Sequence, residues 1–97
     1  MANTFFPIVS KFVSATSGYH PENTEYKVSI GYEIYDGDDE CLVNKVQICY
    51  DGKISGRRSP SFPVNSNDWE EVQEAMVQVN DFYKNQTNNK SLRNYII

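Results

Sequence analysis

The feature that most constrains the fold is an apolar stripe in the last third of the chain. Its side chains recur at steps of three and four residues, the spacing of one helix face: Trp69, Val72, Met76, Val79 and Tyr83, with Phe82 widening the stripe. Asn67 and Glu70 predict a capping box at the start of this helix. The sequence therefore predicts an amphipathic helix over residues 67–85, which must cover an apolar surface formed elsewhere in the chain.

Two predicted strands supply that surface. Every even position from 26 to 34 is apolar, and strict alternation is typical of a half-buried strand, so the odd positions Lys27 and Glu33 are expected to face water. The next strand covers residues 41–50. With residues 36–40 as the loop, Tyr35 pairs with Cys41, and the apolar pairs all fall on one face: Ile34 with Leu42, Ile30 with Val46, Val28 with Ile48 and Tyr26 with Tyr50. The helix is then expected to rest on Val28, Ile30, Ile34, Leu42, Val46 and Ile48.

The remaining elements are weaker in pattern. β-branched and aromatic residues predict a strand over residues 8–15. The dipeptide Asp51-Gly52 predicts a tight turn into a short edge strand over residues 53–58. All 97 residues then form a single α+β domain, a four-stranded antiparallel meander sheet with one C-terminal helix packed on one face (ββββα). The tail, residues 90–97, is a candidate extra strand. Trp69, Val72, Met76 and Val79 are assigned to the core and so excluded from function.

Composition narrows the function classes. The net charge is −4, which disfavours a generic phosphate binder. No signal peptide or membrane segment is recognisable. Cys41 and Cys49 would be roughly 26 Å apart along one strand, too far for a disulfide, so two free thiols and a cytoplasmic location are expected. The one histidine, His20, lies in a predicted surface loop, and no nucleophile or phosphate-loop signature is present. We therefore expect a non-enzymatic protein with no metal site and no cofactor.

The first functional hypothesis is a protein-binding module of the inhibitor or adaptor type. A run of acids lies in the predicted loop beside an outward aromatic side chain, which suits electrostatic steering around a binding hot spot: Asp36, Asp38, Asp39, Glu40 and Tyr35. Compact acidic proteins of this kind are common among phage accessory proteins, an analogy rather than a deduction from the residues. A homodimer through the tail or an exposed edge strand is a separate expectation.

The alternative hypothesis is a single-stranded nucleic-acid-binding protein. Binding of a single strand requires cationic side chains for the phosphates and aromatic rings on which the nucleobases stack. Four basic residues lie near tyrosines on neighbouring predicted strands: Lys45, Lys53, Arg57 and Arg58. Residues 56–64, followed by residues 67–72 with their tryptophan, resemble the end of the PC4-type single-stranded DNA-binding fold. In that fold a basic strand leads through a short polar turn to a Trp-bearing amphipathic helix. The resemblance implies the same topology for this end of the chain.

Overall fold

The computed structural model describes residues 4–34, 39–86 and 95–97. Its elements are β1 (Thr4–Ser14), β2 (Thr24–Ile34), β3 (Glu40–Tyr50), β4 (Lys53–Ile54), α1 (Asp68–Gln86) and β5 (Tyr95–Ile96). The sheet order is β4-β3-β2-β1-β5. The first four strands form an antiparallel meander, and β5 joins the outer edge of β1 in parallel. The predicted α+β fold with one C-terminal helix is confirmed, and the tail does supply a strand.

The predicted register between β2 and β3 is wrong by two residues. Tyr32 pairs with Leu42, Val28 pairs with Val46, and Cys41 pairs with Glu33 rather than with Tyr35. A two-residue shift keeps every side chain on its own face, so alternation alone cannot distinguish the two registers. The observed one is fixed at the far end of the ladder, where the amide of Asp51 donates to the carbonyl oxygen of Asn23 at 3.1 Å.

The hairpin from β3 to β4 turns at Asp51 and Gly52, as predicted. Both residues have positive φ, 51° and 81°, and lie between the paired residues Tyr50 and Lys53, which is the geometry of a type I′ turn. The following strand is much shorter than the predicted 53–58, because it ends at Ile54. Residues 55–67 therefore run outside the sheet, and the basic strand that the PC4-type resemblance implied is not formed.

A β-bulge divides β1 into two halves. The pairing shifts by one residue between Pro7 and Val9, so Ile8 has no partner on β2. The bulge requires a glycine opposite: a Cβ on Gly31 would lie 2.3 Å from the carbonyl oxygen of Phe6. After the bulge the odd residues of β1 face the helix, and before it the even residues do. The strand itself begins at Thr4 and ends at Ser14, instead of covering the predicted 8–15.

The helix packs over β1 and β2 and leaves much of β3 uncovered. The core that results is Val9, Val13, Tyr26, Val28, Ile30, Ile48, Val72, Ala75 and Val79. The predicted floor is therefore right for Val28, Ile30 and Ile48. Val46 packs against them partly buried, but Leu42 is 41% exposed. The sequence predicts the helix over the β2–β3 hairpin, whereas in the structure β1 contributes Val9 and Val13 to the floor.

The other face of the sheet carries small polar residues along its centre. The buried hydroxyls of Ser10 and Ser29 hydrogen-bond each other at 2.8 Å. Glu33, expected to face water, is buried and paired with Lys45. Within the described ranges no helix combines the length and the apolar character that crossing a membrane requires.

Candidate functional site

The most site-like feature of the described surface lies where the chain enters α1. A groove there is lined by Phe62, Pro63, Val64, Ser66, Trp69 and Glu70, and we name it the Trp69 groove. A neighbouring depression shares its central residues and extends to Tyr19 and His20. Val64 is 95% exposed and Trp69 is 50% exposed, although both are large apolar side chains. Their exposure within one concave surface distinguishes this region from scattered apolar residues.

Trp69 was predicted to belong to the core, and that prediction is wrong. Phe62 occupies the space that the helical stripe assigned to Trp69, because its ring packs against Tyr26 with centroids 4.9 Å apart. Trp69 then packs on the outer side of Phe62, with centroids 5.0 Å apart. The three rings form a ladder from the buried sheet to the surface. Trp69 therefore returns to the set of candidate functional residues.

A buried carboxylate anchors this ladder from below. Asp68 is only 1% exposed, and the hydroxyl of Tyr26 donates to its Oδ2 at 2.7 Å. The backbone amide of Thr16 donates to both carboxylate oxygens, at 3.2 and 3.1 Å, and the Thr16 hydroxyl donates to Oδ1. For this end of the helix the sequence predicts a capping box and, for Asp68, a favourable interaction with the helix dipole. The structure instead uses Asp68 to join the end of β1, the start of β2 and the first turn of α1.

The same network fixes the loop that forms the groove. The carbonyl oxygen of Ser61 lies 3.1 Å from Tyr26 Oη and 3.1 Å from His20 Nε2. The Tyr26 hydroxyl has a single proton, and the shorter bond to a carboxylate takes it. We therefore assign the Ser61 bond to His20, with the proton on Nε2. His20 was expected to be a surface residue without a role, but it is half-buried and holds this loop.

The helix start is also built differently from the prediction. The Ser66 hydroxyl donates to the carbonyl oxygen of Pro63 at 2.7 Å and accepts from the amide of Asp68 at 3.2 Å. Ser66 thereby takes the role assigned to Asn67 in the expected capping box. Loop and helix are joined directly by these two bonds, which hold the groove-forming loop against the start of α1.

The protonation states of Asp68 and Tyr26 favour a structural role for this hydrogen-bond network. Burial would raise the pKa of Asp68, but hydrogen bonds from Thr16 and Tyr26 outweigh it and lower the pKa below the ordinary value. Burial, and then the bond to Asp68, raise the pKa of Tyr26 far above that of a free phenol. At neutral pH the pair is therefore a charged acceptor and a protonated donor. Neither group is arranged to exchange protons with a substrate.

The structure places the predicted acid loop only in part. Asp39 and Glu40 are exposed just before and at the start of β3. Tyr35, Asp36 and Asp38 lie outside the described residues. The protein-binding role assigned to this loop stays a prediction.

The predicted basic surface is not assembled as one patch. Lys45 pairs with Glu33, and its Nζ lies 5.2 Å from the centroid of the Phe5 ring, on the face opposite α1. Tyr26 and Tyr32 are on the helix face, so they do not alternate with Lys45. Lys53 is exposed on β4, and Arg57 and Arg58 are exposed in the segment that follows. These residues are close together in the chain, but they lie on different surfaces of the fold. Lys45 is on the sheet face opposite α1, whereas Arg57 and Arg58 follow β4 outside the sheet.

Both cysteines are free thiols, as the sequence predicts. Cys41 is exposed and Cys49 is buried, and neither forms a disulfide. Burial raises the pKa of Cys49. In the part of the chain that the structure describes, no group of histidine, cysteine and acidic side chains is arranged to hold a metal ion.

Most of the groove was not predicted from the sequence: Phe62, Pro63 and Val64, together with Tyr19 of the neighbouring depression. One signal was present, since Phe62 stands between two prolines in a segment too irregular for a strand. An aromatic residue held in a stiff loop must pack on something. Comparisons with known protein families, curated proteins and solved structures find no match to this chain.

Proposed function

We propose that this protein is a non-enzymatic binding module that captures a segment of a protein partner in the Trp69 groove. The observation that carries the proposal is the half-exposed Trp69 stacked on Phe62 in a preformed concave surface. Tryptophan is among the residues that contribute most to protein interfaces, because one side chain offers a large apolar area with few rotatable bonds. An anchor side chain of the partner would pack on the exposed side of the indole ring.

Preorganisation supports this use of the groove. Binding normally costs about 0.5–1.5 kcal/mol for each side chain that must be immobilised. Here Phe62 is already held between two rings, and the loop is tied to His20 and Ser66 before any partner arrives. Most of this ordering cost has therefore been met during folding. The groove can use its apolar contacts for affinity.

Charge indicates the chemistry of the partner. Glu70 lines the groove and is exposed. The whole chain carries a net charge of −4. A segment with Lys or Arg beside an aliphatic or aromatic anchor fits this surface best, because opposite charges steer association and disfavour acidic competitors. Asp39 and Glu40 are exposed at the other end of the β2–β3 ladder and are separate from this groove.

The consequence for the partner depends on which of its segments is captured. If the captured segment belongs to the active site or binding site of the partner, this protein acts as an inhibitor. If the segment is a terminal tail of the partner, it acts as an adaptor. With both cysteines free, a reducing compartment such as the cytoplasm is the proposed location.

The direct test is a display screen with random peptides of about twelve residues against the immobilised protein. We expect enrichment of peptides that combine an apolar anchor with Lys or Arg. Binding should blue-shift the fluorescence of the single tryptophan and protect it from acrylamide quenching, because the partner removes water from its exposed side. Trp69→Ala should weaken binding by at least tenfold, which corresponds to about 1.4 kcal/mol.

Val77→Ala is the matched control, since Val77 is also an exposed apolar residue of α1 but does not line the groove. Its peptide affinity should equal that of the wild type. Enriched peptides that bind Trp69→Ala as tightly as wild type, or a screen without enrichment, would contradict the proposed function.

A further inference from the structure

The open edge of the sheet is the second feature that indicates an interaction. β4 pairs only with Cys49 and Tyr50, and the amide of Ser55 adds one bond to the carbonyl oxygen of Ile48. Over residues 40–47, no strand among the described residues pairs with that side of β3. A strand of 11 residues thus has most of its outer edge without a partner.

The direction of the backbone groups on this edge follows from the bond at Ile48. Residues of a strand point their N–H and C=O groups alternately to the two sides. The Ile48 carbonyl points outward to Ser55, so the even residues before it point the same way. These are Glu40, Leu42, Asn44 and Val46. With one donor and one acceptor each, they present eight outward hydrogen-bonding groups.

The usual protection of such an edge is weak here. Natural edge strands carry proline, bulges or several charges that prevent pairing with another chain. Residues 40–47 contain no proline, and Glu40 and Lys45 are their only charged side chains. Lys45 is paired with Glu33 within its own sheet, and the β2–β3 ladder runs without a register shift. Leu42 adds an exposed apolar side chain.

We propose that a second copy of this chain pairs with this edge, as an antiparallel β3–β3 dimer with its two-fold axis at Val43. In this register Leu42 lies opposite the partner's Asn44, and Glu40 opposite the partner's Val46. All eight outward groups of each copy are then bonded. A two-fold axis at Asn44 instead would place Glu40 opposite Ile48, whose carbonyl oxygen is already bonded to Ser55.

Charge and position favour a second copy as the occupant. The chain is acidic overall, so two copies repel at most surfaces, but residues 40–47 carry one acid and one base. The edge is also self-complementary, because the same four residues supply equal numbers of donors and acceptors. Residues 40–46 lie opposite residues 28–34 of β2, whereas the Trp69 groove is built on Tyr26, at the other end of the ladder. The dimer and the groove are therefore independent proposals.

Site-directed crosslinking tests the register. Val43 would face the partner's Val43 in a pair without hydrogen bonds, where Cα atoms are about 4.5 Å apart and a disulfide fits. Val43→Cys in a Cys41→Ser background should form a disulfide-linked dimer under mild oxidation. Gln47→Cys in the same background is the matched control. It lies on the same strand and face, but in this register it would be roughly 26 Å from its counterpart and should not crosslink.

Light scattering of the wild-type protein at about 100 µM should give the mass of a dimer, twice 11.2 kDa. Asn44→Pro should be monomeric and still folded, since the amide that proline removes points away from β2. A wild-type monomer overturns the proposal. So does crosslinking of Gln47→Cys to the same extent as Val43→Cys, or a dimer in which Val43→Cys does not crosslink.

Discussion

Replacing Asp68 with asparagine removes the charge from the network beneath the Trp69 groove and replaces one of its two acceptor oxygens with a donor NH2. Three donors bond this carboxylate: the Thr16 amide, the Thr16 hydroxyl and the Tyr26 hydroxyl. A bond to a charged group contributes about 1 kcal/mol more than its neutral counterpart, which suggests a loss of about 3 kcal/mol. Asparagine is less costly to bury than a carboxylate. The net loss in the free energy of unfolding is therefore expected to be about 2 kcal/mol.

Urea denaturation followed by circular dichroism measures this loss. For a domain of this size about 2 kcal/mol lowers Tm by roughly 8–16 °C, which a thermal scan resolves easily. Glu71→Gln is the matched control, because it removes the same charge from the same helical turn at an exposed position. Its stability should stay within about 0.5 kcal/mol of wild type.

Acid titration gives the reasoning a second, independent readout. The folded-state pKa of Asp68 is lowered from 3.8, so the carboxylate stabilises the fold above that pH. The stabilisation is lost as the pH falls through the folded-state pKa. The difference in unfolding free energy between wild type and Asp68→Asn should therefore be full at pH 7 and shrink in acid. Equal stabilities of Asp68→Asn and Glu71→Gln, or a difference that grows on acidification, would refute this account of the network.

Three further predictions concern the bulge, the thiols and nucleic acid. Gly31→Ala should lower the unfolding free energy by about 2 kcal/mol or more in urea denaturation, because its Cβ would clash with backbone across the bulge; an unchanged midpoint would show that the bulge adapts. Cys41 should react with a thiol reagent in the native protein, and Cys49 only after unfolding, since it is 1% exposed; simultaneous labelling would contradict the buried position. An oligothymidine of about fifteen residues should show no saturable anisotropy change at low salt. Saturable binding that Arg57→Ser with Arg58→Ser abolishes would instead support the nucleic-acid hypothesis.

The parts of the fold that follow from periodicity were predictable. The alternation in β2 and the three-and-four spacing in α1 each depend on residues within one element, so element type and approximate bounds could be read directly. The Asp51-Gly52 turn was predictable for the same reason, because only local backbone conformation is involved.

The parts of the fold that depend on contacts between two distant segments of the chain were not predictable from the sequence. The β2–β3 register, the contribution of β1 to the floor and the displacement of Trp69 by Phe62 each result from a choice between near-equivalent packings. The network at Asp68 joins residues 52 positions apart. A single acidic residue in a first helical turn has a sufficient local explanation in the helix dipole, so nothing in the sequence indicated its long-range role.

The bulge at Ile8 changes how substitutions along β1 should be interpreted. On the helix face, a scan that replaced each residue in turn would show sensitivity at the odd positions Val9 and Val13. Continued backwards with the same alternation, that pattern would assign Phe5 to the helix side and Phe6 to the open side. The structure has the reverse, because one unpaired residue resets the phase. Deleting Ile8 would restore a uniform phase and turn the first half of the strand over, which makes the length of this segment, as well as its composition, part of what the sequence must preserve.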